Sequence, residues 1–324
     1  MEQARRFRFG VAAGGEPASG RAWAELARKA EDLGYSTLLV ADHMSRQASP
    51  LVAAMAALSA TTRLRVGTQV LANPLRNPVV LAKEIASVDL LSDGRFEPGL
   101  GAGWPVTSPI GRSDSEQTGI DMGRAGERLD RLVEAVQIIT RFLSSDEPFD
   151  FEGAHVVLRG VIPAPRPVQR PHPPLMLAGA GPRLLRLAAR HADIINIAPR
   201  PPIVGPTAAG SMGYGMTMAD VVGLLKEAAG ERYRSIELCV FSNNPQVGNP
   251  SVTDRPDPSI DQLALALRTT REATLAMPAT LIGSESSLVE RIESDRDRYD
   301  ISYRTIPASS MDQFAPVVGR LAGR

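Results

Sequence analysis

The sequence is poor in several residue types, and each shortage narrows the possible functions. Its only cysteine is Cys239, so an internal disulfide and a cysteine metal cluster are both excluded. Acidic and basic residues number 36 each, which gives a formal net charge of zero and none of the basic excess typical of nucleic-acid binders. The four histidines show no spacing typical of metal ligands. We therefore expect neither a metal centre nor a nucleic-acid partner.

Long hydrophobic runs are also missing. The longest mostly apolar run, residues 51–58, is far shorter than the roughly 20 residues of a membrane-spanning helix. The N-terminal stretch MEQARRFRFGVA contains no hydrophobic segment of signal-peptide length. These absences predict a soluble, cytoplasmic protein with no membrane partner. Cys239 lies within the apolar run ELCVF, where a buried structural thiol is expected rather than a nucleophile.

Strand and helix patterns alternate along the chain. The predicted strands cover residues 7–12, 37–40, 64–70, 175–178, 193–198, 236–241 and 301–306, and a further short strand lies within residues 89–105. The predicted helices include residues 21–33, 50–60, a segment ending at 91, a segment around 129–139, and residues 183–191, 219–229, 260–274 and 286–296. About eight strand–helix units indicate a parallel α/β sheet. A single domain over residues 1–324 with a (β/α)8 TIM barrel fits best, and a doubly wound open sheet is the alternative.

Two long Gly/Pro-rich loops, residues 199–215 and 243–259, follow the sixth and seventh predicted strands. Loops of this length in a compact domain are usually functional or disordered. We expect these insertions to form the wall or lid of a site for a small-molecule substrate. Because they carry few charges and no phosphate-binding cluster, a sugar phosphate is not expected as the substrate.

The stretch DLLSDGRFEPGLGAGWP, residues 89–105, reads as a helix end, a tight turn, a short strand and a glycine-rich exit. Gly101 and Gly103 leave almost no side chain where the strand ends. Such bare backbone indicates either the close approach of a flat or anionic ligand or a packing bend at a barrel corner. Trp104 follows at once and is placed to wall a pocket.

The carboxyl ends of the other strands complete the candidate site, because the site of such barrels lies at that face. The residues that these ends present are Asp42, His43, Gln69, Val70, Ala72, Asn73, Gly179, Ala180 and Gly181. Asp42 and His43 are the strongest candidates for acid–base catalysis among these residues, since a carboxylate and an imidazole can share a substrate proton. The alternative is that Asp42 caps a turn and His43 packs.

Gly179, Ala180 and Gly181 stand between a strand and a helix. Small residues there let backbone N–H groups face a phosphate, whereas the alternative is a simple helix cap. The segment is not a dinucleotide fingerprint, because no G-x-G-x-x-G follows the first strand with an acidic residue downstream.

The motif GRFEPGLGAGW, residues 94–104, resembles the GRF-x-LG-x-G-x-GW signature of the luciferase-like monooxygenase superfamily, especially the branch that uses the deazaflavin coenzyme F420. The resemblance extends over nearly the whole chain. Pro98 departs from the motif, and because proline removes a ladder donor it predicts disturbed strand pairing there. Members of the family often dimerise, which makes a homodimer an expectation.

The resemblance implies a TIM-barrel oxidoreductase that transfers a hydride between F420 and a small organic substrate. Asp42 would contact the cofactor, and His43 would act as acid or base beside the reacting ring carbon. Gly179, Ala180 and Gly181 would hold the phosphate tail. Related enzymes that use flavin mononucleotide (FMN) for monooxygenation are one alternative, and a non-catalytic cofactor- or ligand-binding barrel is another.

Two further site features follow from the resemblance. Gln69 and Val70 would form a bulge with a cis peptide bond beneath the cofactor ring; an ordinary trans strand end is the alternative. Several F420 enzymes carry a second acid, a glutamate, just after the glycines, where this chain has Trp104. Glu116 is the next glutamate along the chain, so we expect His43 to work alone or with a group on the substrate.

Overall fold

The computed structural model describes residues 5–14, 17–45, 47–197, 216–242, 245–248, 258–267 and 270–324, in which strands and helices alternate as predicted. Its strands are β1 (Arg8–Ala13), β2 (Thr37–Val40), β3 (Arg65–Thr68), β4 (Leu71–Ala72), β5 (Phe96–Glu97), β6 (Gly99–Gly101), β7 (Phe149–Glu152), β8 (Val157–Val161), β9 (Met176–Gly179), β10 (Ile194–Ile197), β11 (Glu237–Phe241), β12 (Gln246–Val247), β13 (Ile282–Gly283) and β14 (Ile301–Pro307). Its α-helices are α1 (Gly20–Asp32), α2 (Pro50–Ala60), α3 (Pro78–Leu91), α4 (Pro109–Thr118), α5 (Ala125–Ser144), α6 (Pro182–His191), α7 (Met218–Ala229), α8 (Pro258–Leu267), α9 (Arg271–Ala276), α10 (Glu285–Tyr299) and α11 (Met311–Leu321). Among these residues no helix combines the length and the apolar character needed to cross a membrane.

Residue contacts divide the chain into two compact units. The first comprises Met1–Ala12, Asp32–Ser36 and Ala178–Arg324, and the second comprises Ala13–Glu31 and Thr37–Leu177. In the first unit β10, β11, β14 and β1 pair in that order, all parallel. The prediction of a single domain over the whole chain stays a prediction.

The core of the first unit is aromatic and aliphatic. Phe9 packs against Phe7 and Phe314, with ring centroids 6.4 and 6.1 Å away, and all three side chains are buried. Cys239 on β11 is completely buried, which confirms the structural thiol. Burial, with the nearby negative charge of Glu237, raises the pKa of this thiol and suppresses the reactive thiolate.

The second unit contains two sets of parallel strands. β2, β3 and β5 pair in that order, and so do β4, β6 and β9. The continuous strand predicted over residues 64–70 is wrong at its end, because β3 stops at Thr68 and β4 starts at Leu71. The partner strand is interrupted at the same level by Pro98, so the prediction of disturbed pairing there is confirmed.

The Thr68 hydroxyl spans this double interruption. It accepts a hydrogen bond from Gly99 N at 2.8 Å and donates one to Gly99 O at 3.0 Å. These two bonds satisfy buried backbone groups that the broken ladder leaves without strand partners.

The helix α4 was not predicted, because its polar sequence PIGRSDSEQT has no apolar stripe. It begins in the usual way, with the Ser108 side chain accepting from Gly111 N at 3.0 Å and proline as the first helical residue. It ends at Gly119, whose φ is 69°. Further along, the helix predicted over residues 260–274 is two helices, α8 and α9, and Thr270 caps the second by accepting from Ala273 N at 3.1 Å.

Candidate active site

The exits of β2, β4 and β6 lie side by side in the second unit. Gln69 N donates to Val40 O at 2.9 Å, and Ala72 N donates to Asp42 Oδ2 at 2.8 Å. Ala72 is also the register partner of Gly101. The structure therefore brings together Asp42, Gln69, Ala72 and Gly101, which the sequence placed at three separate strand ends.

A bulge occupies the centre of this region. The peptide bond between Gln69 and Val70 is cis, as predicted, and both side chains are half-buried. A Cβ atom on Gly99 would overlap the Thr68 carbonyl oxygen and lie 3.0 Å from Val70 Cγ1. Only glycine at position 99 therefore lets the Val70 side chain approach the β6 backbone this closely. We call Gln69 and Val70 the bulge.

Asp42 is buried and bound to protein groups on both oxygens. Its carboxylate forms an ion pair with two guanidinium nitrogens of Arg76, one of them 3.0 Å from Oδ1, and Oδ2 also accepts from Ala72 N. Asp42 thus fixes the β2 exit to β4 and to the segment that follows it. A contact between Asp42 and a cofactor stays a prediction.

His43 is paired with Asp114 of α4. The Nδ1 atom of His43 is 3.1 Å from Asp114 Oδ2, and Met44 N donates to Asp114 Oδ1 at 2.8 Å. The Asp114 side chain is only 5% exposed, whereas the His43 side chain is 23% exposed. The other ring nitrogen, Nε2, has no hydrogen-bond partner among the described residues. The buried carboxylate of Asp114 therefore holds the Nδ1 side of the imidazole, and Nε2 can exchange a proton with a bound molecule.

Asp114 is the site residue that sequence reasoning missed, because α4 was read as a loop. The signals that reveal this helix are the Ser108–Pro109 start and Gly119 after the last turn. Glu116, the next glutamate after Trp104, is exposed. Arg76 was also missed, and its position in the loop ANPLRNP gives no local signal of an ion pair.

The glycine-rich exit after β6 is shaped by packing. Gly103 has a φ of 78°, and a Cβ atom there would lie 3.0 Å from Pro74. Trp104 follows and is 39% exposed. Its carbonyl oxygen and that of Pro105 lie so close to Gly111 that a Cβ atom on this glycine would overlap both. The packing alternative accounts for Gly103, and the cofactor contacts of Gly101, Gly103 and Trp104 stay predictions.

The second glycine segment lies in the first unit, between β9 and α6. A Cβ atom on Gly179 would overlap the Leu184 side chain, and Gly181 precedes Pro182 as the N-cap of α6. Packing against Leu184 thus explains the glycine at position 179, and the start of α6 explains the glycine at position 181. Ala180 is half-buried like both of them. Phosphate binding by this segment stays a prediction.

Exposed apolar side chains cluster in sequence around His43 and α4. About two fifths of each is exposed, and they are Met44, Trp104, Val106 and Ile110. Ile110 and Asp114 are four residues apart on α4 and so share a helix face. The two long loops expected to form a substrate wall lie mostly outside the described residues, at 198–215, 243–244 and 249–257.

A family model described as luciferase-like monooxygenase matches residues 6–204, more than half of the chain. The chain belongs to this family. Among curated relatives, an F420-dependent glucose-6-phosphate dehydrogenase of Kineococcus radiotolerans is 31% identical over 178 residues, which is 52% of this chain and 50% of the relative. A 4-hydroxyprotoasukamycin monooxygenase of Streptomyces nodosus subsp. asukaensis is 33% identical over 146 residues, 42% of this chain and 37% of the relative. The chain thus matches about half or less of the length of these relatives.

Solved structures of luciferase-like enzymes match almost the whole chain. An F420-dependent secondary alcohol dehydrogenase in complex with an F420–acetone adduct gives a TM-score of 0.72 at 20% identity and covers 98% of this chain and 99% of its own. A riboflavin lyase with modified FMN and riboflavin gives a TM-score of 0.71 at 17% identity, and the match covers 98% of this chain and 91% of the lyase chain. At such identities the likeness shows the fold alone, and the predicted luciferase-like TIM barrel is confirmed.

A flavin-type cofactor, F420 or FMN, is typical of this family. The described residues of the second unit fit such a ring. The half-buried bulge and the partly exposed imidazole of His43 lie at neighbouring strand exits, and Gly101 and Gly103 place no side chain there.

Proposed function

We propose that the protein transfers a hydride between the deazaflavin coenzyme F420 and a small organic substrate, with His43 as the proton donor or acceptor. The observation that carries this proposal is the imidazole of His43, which is 23% exposed, is held by the buried carboxylate of Asp114 and follows a strand whose Val40 O accepts from Gln69 N of the bulge. Relatives and structural neighbours named for F420 support the choice of cofactor.

Each part of the second-unit site has a role in this proposal. When bound, F420 supplies the centre that accepts or donates a hydride. The bulge would support the ring from one side, and the side-chain-free exit of β6 would let it approach the backbone. Asp42 and Arg76 keep the exits of β2 and β4 together, so that His43, the residue after Asp42, stays at the strand exit that neighbours the bulge.

His43 supplies the proton transfer that accompanies the hydride. When an alcohol is oxidised, its hydroxyl proton passes to the imidazole; when a carbonyl is reduced, the imidazole returns a proton to the oxygen. Such acid–base assistance contributes roughly 10²–10⁴-fold to a rate. Trp104 occupies the position after the glycines, and its indole ring cannot take the place of a second acid–base group.

The substrate would be small and uncharged next to His43. Met44 follows His43 directly, and Trp104, Val106 and Ile110 precede Asp114 by ten residues or fewer. All four side chains are exposed and apolar, and none of them carries charge. Apolar lining with one polar group is typical of sites for small organic ligands. A secondary alcohol or ketone meets this description better than a sugar phosphate.

FMN-dependent monooxygenation is the second candidate. It is supported by the relative named 4-hydroxyprotoasukamycin monooxygenase and by the FMN-containing riboflavin lyase structure. A hydride assay separates the two candidates: a panel of small alcohols is incubated with oxidised F420, and the matching ketones with reduced F420, without oxygen. We expect F420 turnover with at least one alcohol–ketone pair. Products that form only with reduced FMN and oxygen would identify a monooxygenase.

A further inference from the structure

Asp114 holds the imidazole of His43 in an arrangement that depends on the protonation of both groups. An ionised carboxylate has only acceptor oxygens, and one of them already receives the Met44 N–H at 2.8 Å. The other, Oδ2, is 3.1 Å from His43 Nδ1. A stabilising contact at this distance requires the proton to be on Nδ1. The neutral ring then has an unprotonated Nε2.

We propose that Asp114 is a positioning residue that fixes His43 as the Nδ1–H tautomer and so makes Nε2 the nitrogen that exchanges the substrate proton. Nε2 has no partner among the described residues, whereas Nδ1 faces a carboxylate whose side chain is only 5% exposed. Trp104 stands where several F420 enzymes have a second acid, and its side chain cannot serve as one. In this chain the pair of His43 and Asp114 would therefore carry the proton transfer through a single imidazole. Only the catalytic consequence rests on the proposed function, since the tautomer is a property of the protein alone.

The helix that carries Asp114 is fixed firmly enough for this role. Ser108 caps it, and the Ser108 hydroxyl also donates to Pro105 O at 2.8 Å. The Trp104 and Pro105 carbonyl oxygens pack directly on Gly111, where any Cβ atom would overlap them. The Thr118 hydroxyl donates to the Asp114 carbonyl at 2.7 Å within the last turn. Asp114 therefore lies on a rigid element, as precise positioning requires.

An asparagine at position 114 should reverse the tautomer. Its carbonyl oxygen can still accept from Met44 N, so the link between α4 and the β2 exit is kept. Its NH₂ group, however, is a donor, and it would face Nδ1 and require a lone pair there. His43 would then carry its proton on Nε2. A merely structural link through Met44 would leave the tautomer unchanged.

Nitrogen-15 NMR of the protein labelled at histidine tests this without cofactor or substrate. The protein has four histidines, and His43→Gln identifies the signals of His43. At a pH where the ring is neutral, we expect the wild-type protein and the matched control Glu116→Gln to show a protonated Nδ1. We expect Asp114→Asn to show a protonated Nε2. A protonated Nε2 in the wild-type protein would overturn the proposal even if the variant failed to fold, and so would a tautomer unchanged in Asp114→Asn.

The catalytic consequence is a separate readout. With F420 and an accepted substrate, Asp114→Asn should lower kcat by about 10²-fold, the scale expected when an acid–base group is lost, while KM changes less than 3-fold. Glu116→Gln should leave both constants unchanged. If the NMR result holds but no F420 turnover is found for any variant, the proposed function is wrong and the positioning role stands. An unchanged kcat in Asp114→Asn would overturn the catalytic part of the inference.

Discussion

His43 is the residue on which the proposed chemistry depends. We expect His43→Gln to lower turnover with F420 by on the order of 10²-fold or more, because the proton must then come from solvent. Cofactor affinity should change little, since the bulge and the β6 exit are untouched. Steady-state kinetics and a cofactor titration measure the two effects separately. His155→Gln, at an exposed position in the turn between β7 and β8, is the control. Equal losses of affinity and rate would show that His43 only shapes the pocket.

The ion pair between Asp42 and Arg76 gives a second prediction for single residues. The Arg76 and Asp42 side chains are 19% and 6% exposed, so Arg76→Met leaves a nearly buried carboxylate without its cation. We expect a loss of about 3 kcal/mol in the free energy of unfolding. In the control Arg21→Met the lost partner is Glu25, and the two side chains are 89% and 57% exposed.

The control should change the free energy of unfolding by less than about 0.5 kcal/mol, the scale of exposed helical pairs. Urea denaturation of both variants measures the difference. Equal stability of the two variants would show that the pair at Asp42 does not hold the strand exits together.

At the scale of elements, the packing of α4 decides where Asp114 lies. Gly111→Ala places a Cβ atom against the Trp104 and Pro105 carbonyl oxygens, so the helix must move or the loop must yield. We expect a loss of about 1–3 kcal/mol, as for other overpacked sites, together with lower activity. Thermal unfolding measures the stability.

The matched control is Gly223→Ala in α7, where a Cβ atom meets nothing within 4 Å. Alanine there should raise stability by about 0.4–1 kcal/mol, because it restricts the unfolded chain and favours helix. A Gly111→Ala protein as stable as the Gly223→Ala protein would contradict the close packing of α4.

The elements also show what the sequence can and cannot predict. The strand Thr37–Val40 and the helix Pro50–Ala60 were predicted at their observed bounds, because continuous apolar runs and a proline start mark them. The interruption of β3 was not visible in its pattern, since polar Gln69 and apolar Val70 continue the alternation that starts at Leu64. The prediction of the cis bond came from the family resemblance. The helix α4 was missed because it packs through glycine and a buried aspartate instead of an apolar stripe.

The same limit applies to the candidate site. The sequence identified His43, Asp42 and the glycines from their places at strand ends, which the alternating pattern fixes. Their partners could not be predicted, because Arg76 and Asp114 reach them from elements 34 and 71 residues away along the chain. Side-chain pairing over such separations depends on tertiary packing, which local patterns do not contain.

At the scale of the whole molecule, one face of the second unit is unusually apolar. A groove of about 630 Å³ lies between α2 and α3. Val52 and Val80 line it and are 69% and 56% exposed, and α2 contains no charged residue. A helix that is apolar on all sides is normally covered on all sides. Lys83 and Glu84 also line the groove, so it carries one positive and one negative side chain. Such a surface can pair with the same surface of a second copy of the chain.

We therefore expect a homodimer that uses this face. Light scattering after gel filtration should give twice the mass of the 34.6 kDa chain, and Val52→Glu should give the mass of one chain. Val157→Glu, which changes a 61% exposed valine in the hairpin of β7 and β8, should leave the dimer intact. A wild-type protein that is monomeric at micromolar concentration would contradict this expectation.

The choice of cofactor is the central claim, and direct titration tests it. Purified protein is titrated with F420 and, separately, with FMN, and binding is followed by fluorescence quenching. The proposed function predicts clearly tighter binding of F420, with His43→Gln binding F420 about as well as the wild-type protein. Clearly tighter binding of FMN would contradict the F420 assignment and favour a monooxygenase, and binding of neither would favour a non-catalytic barrel.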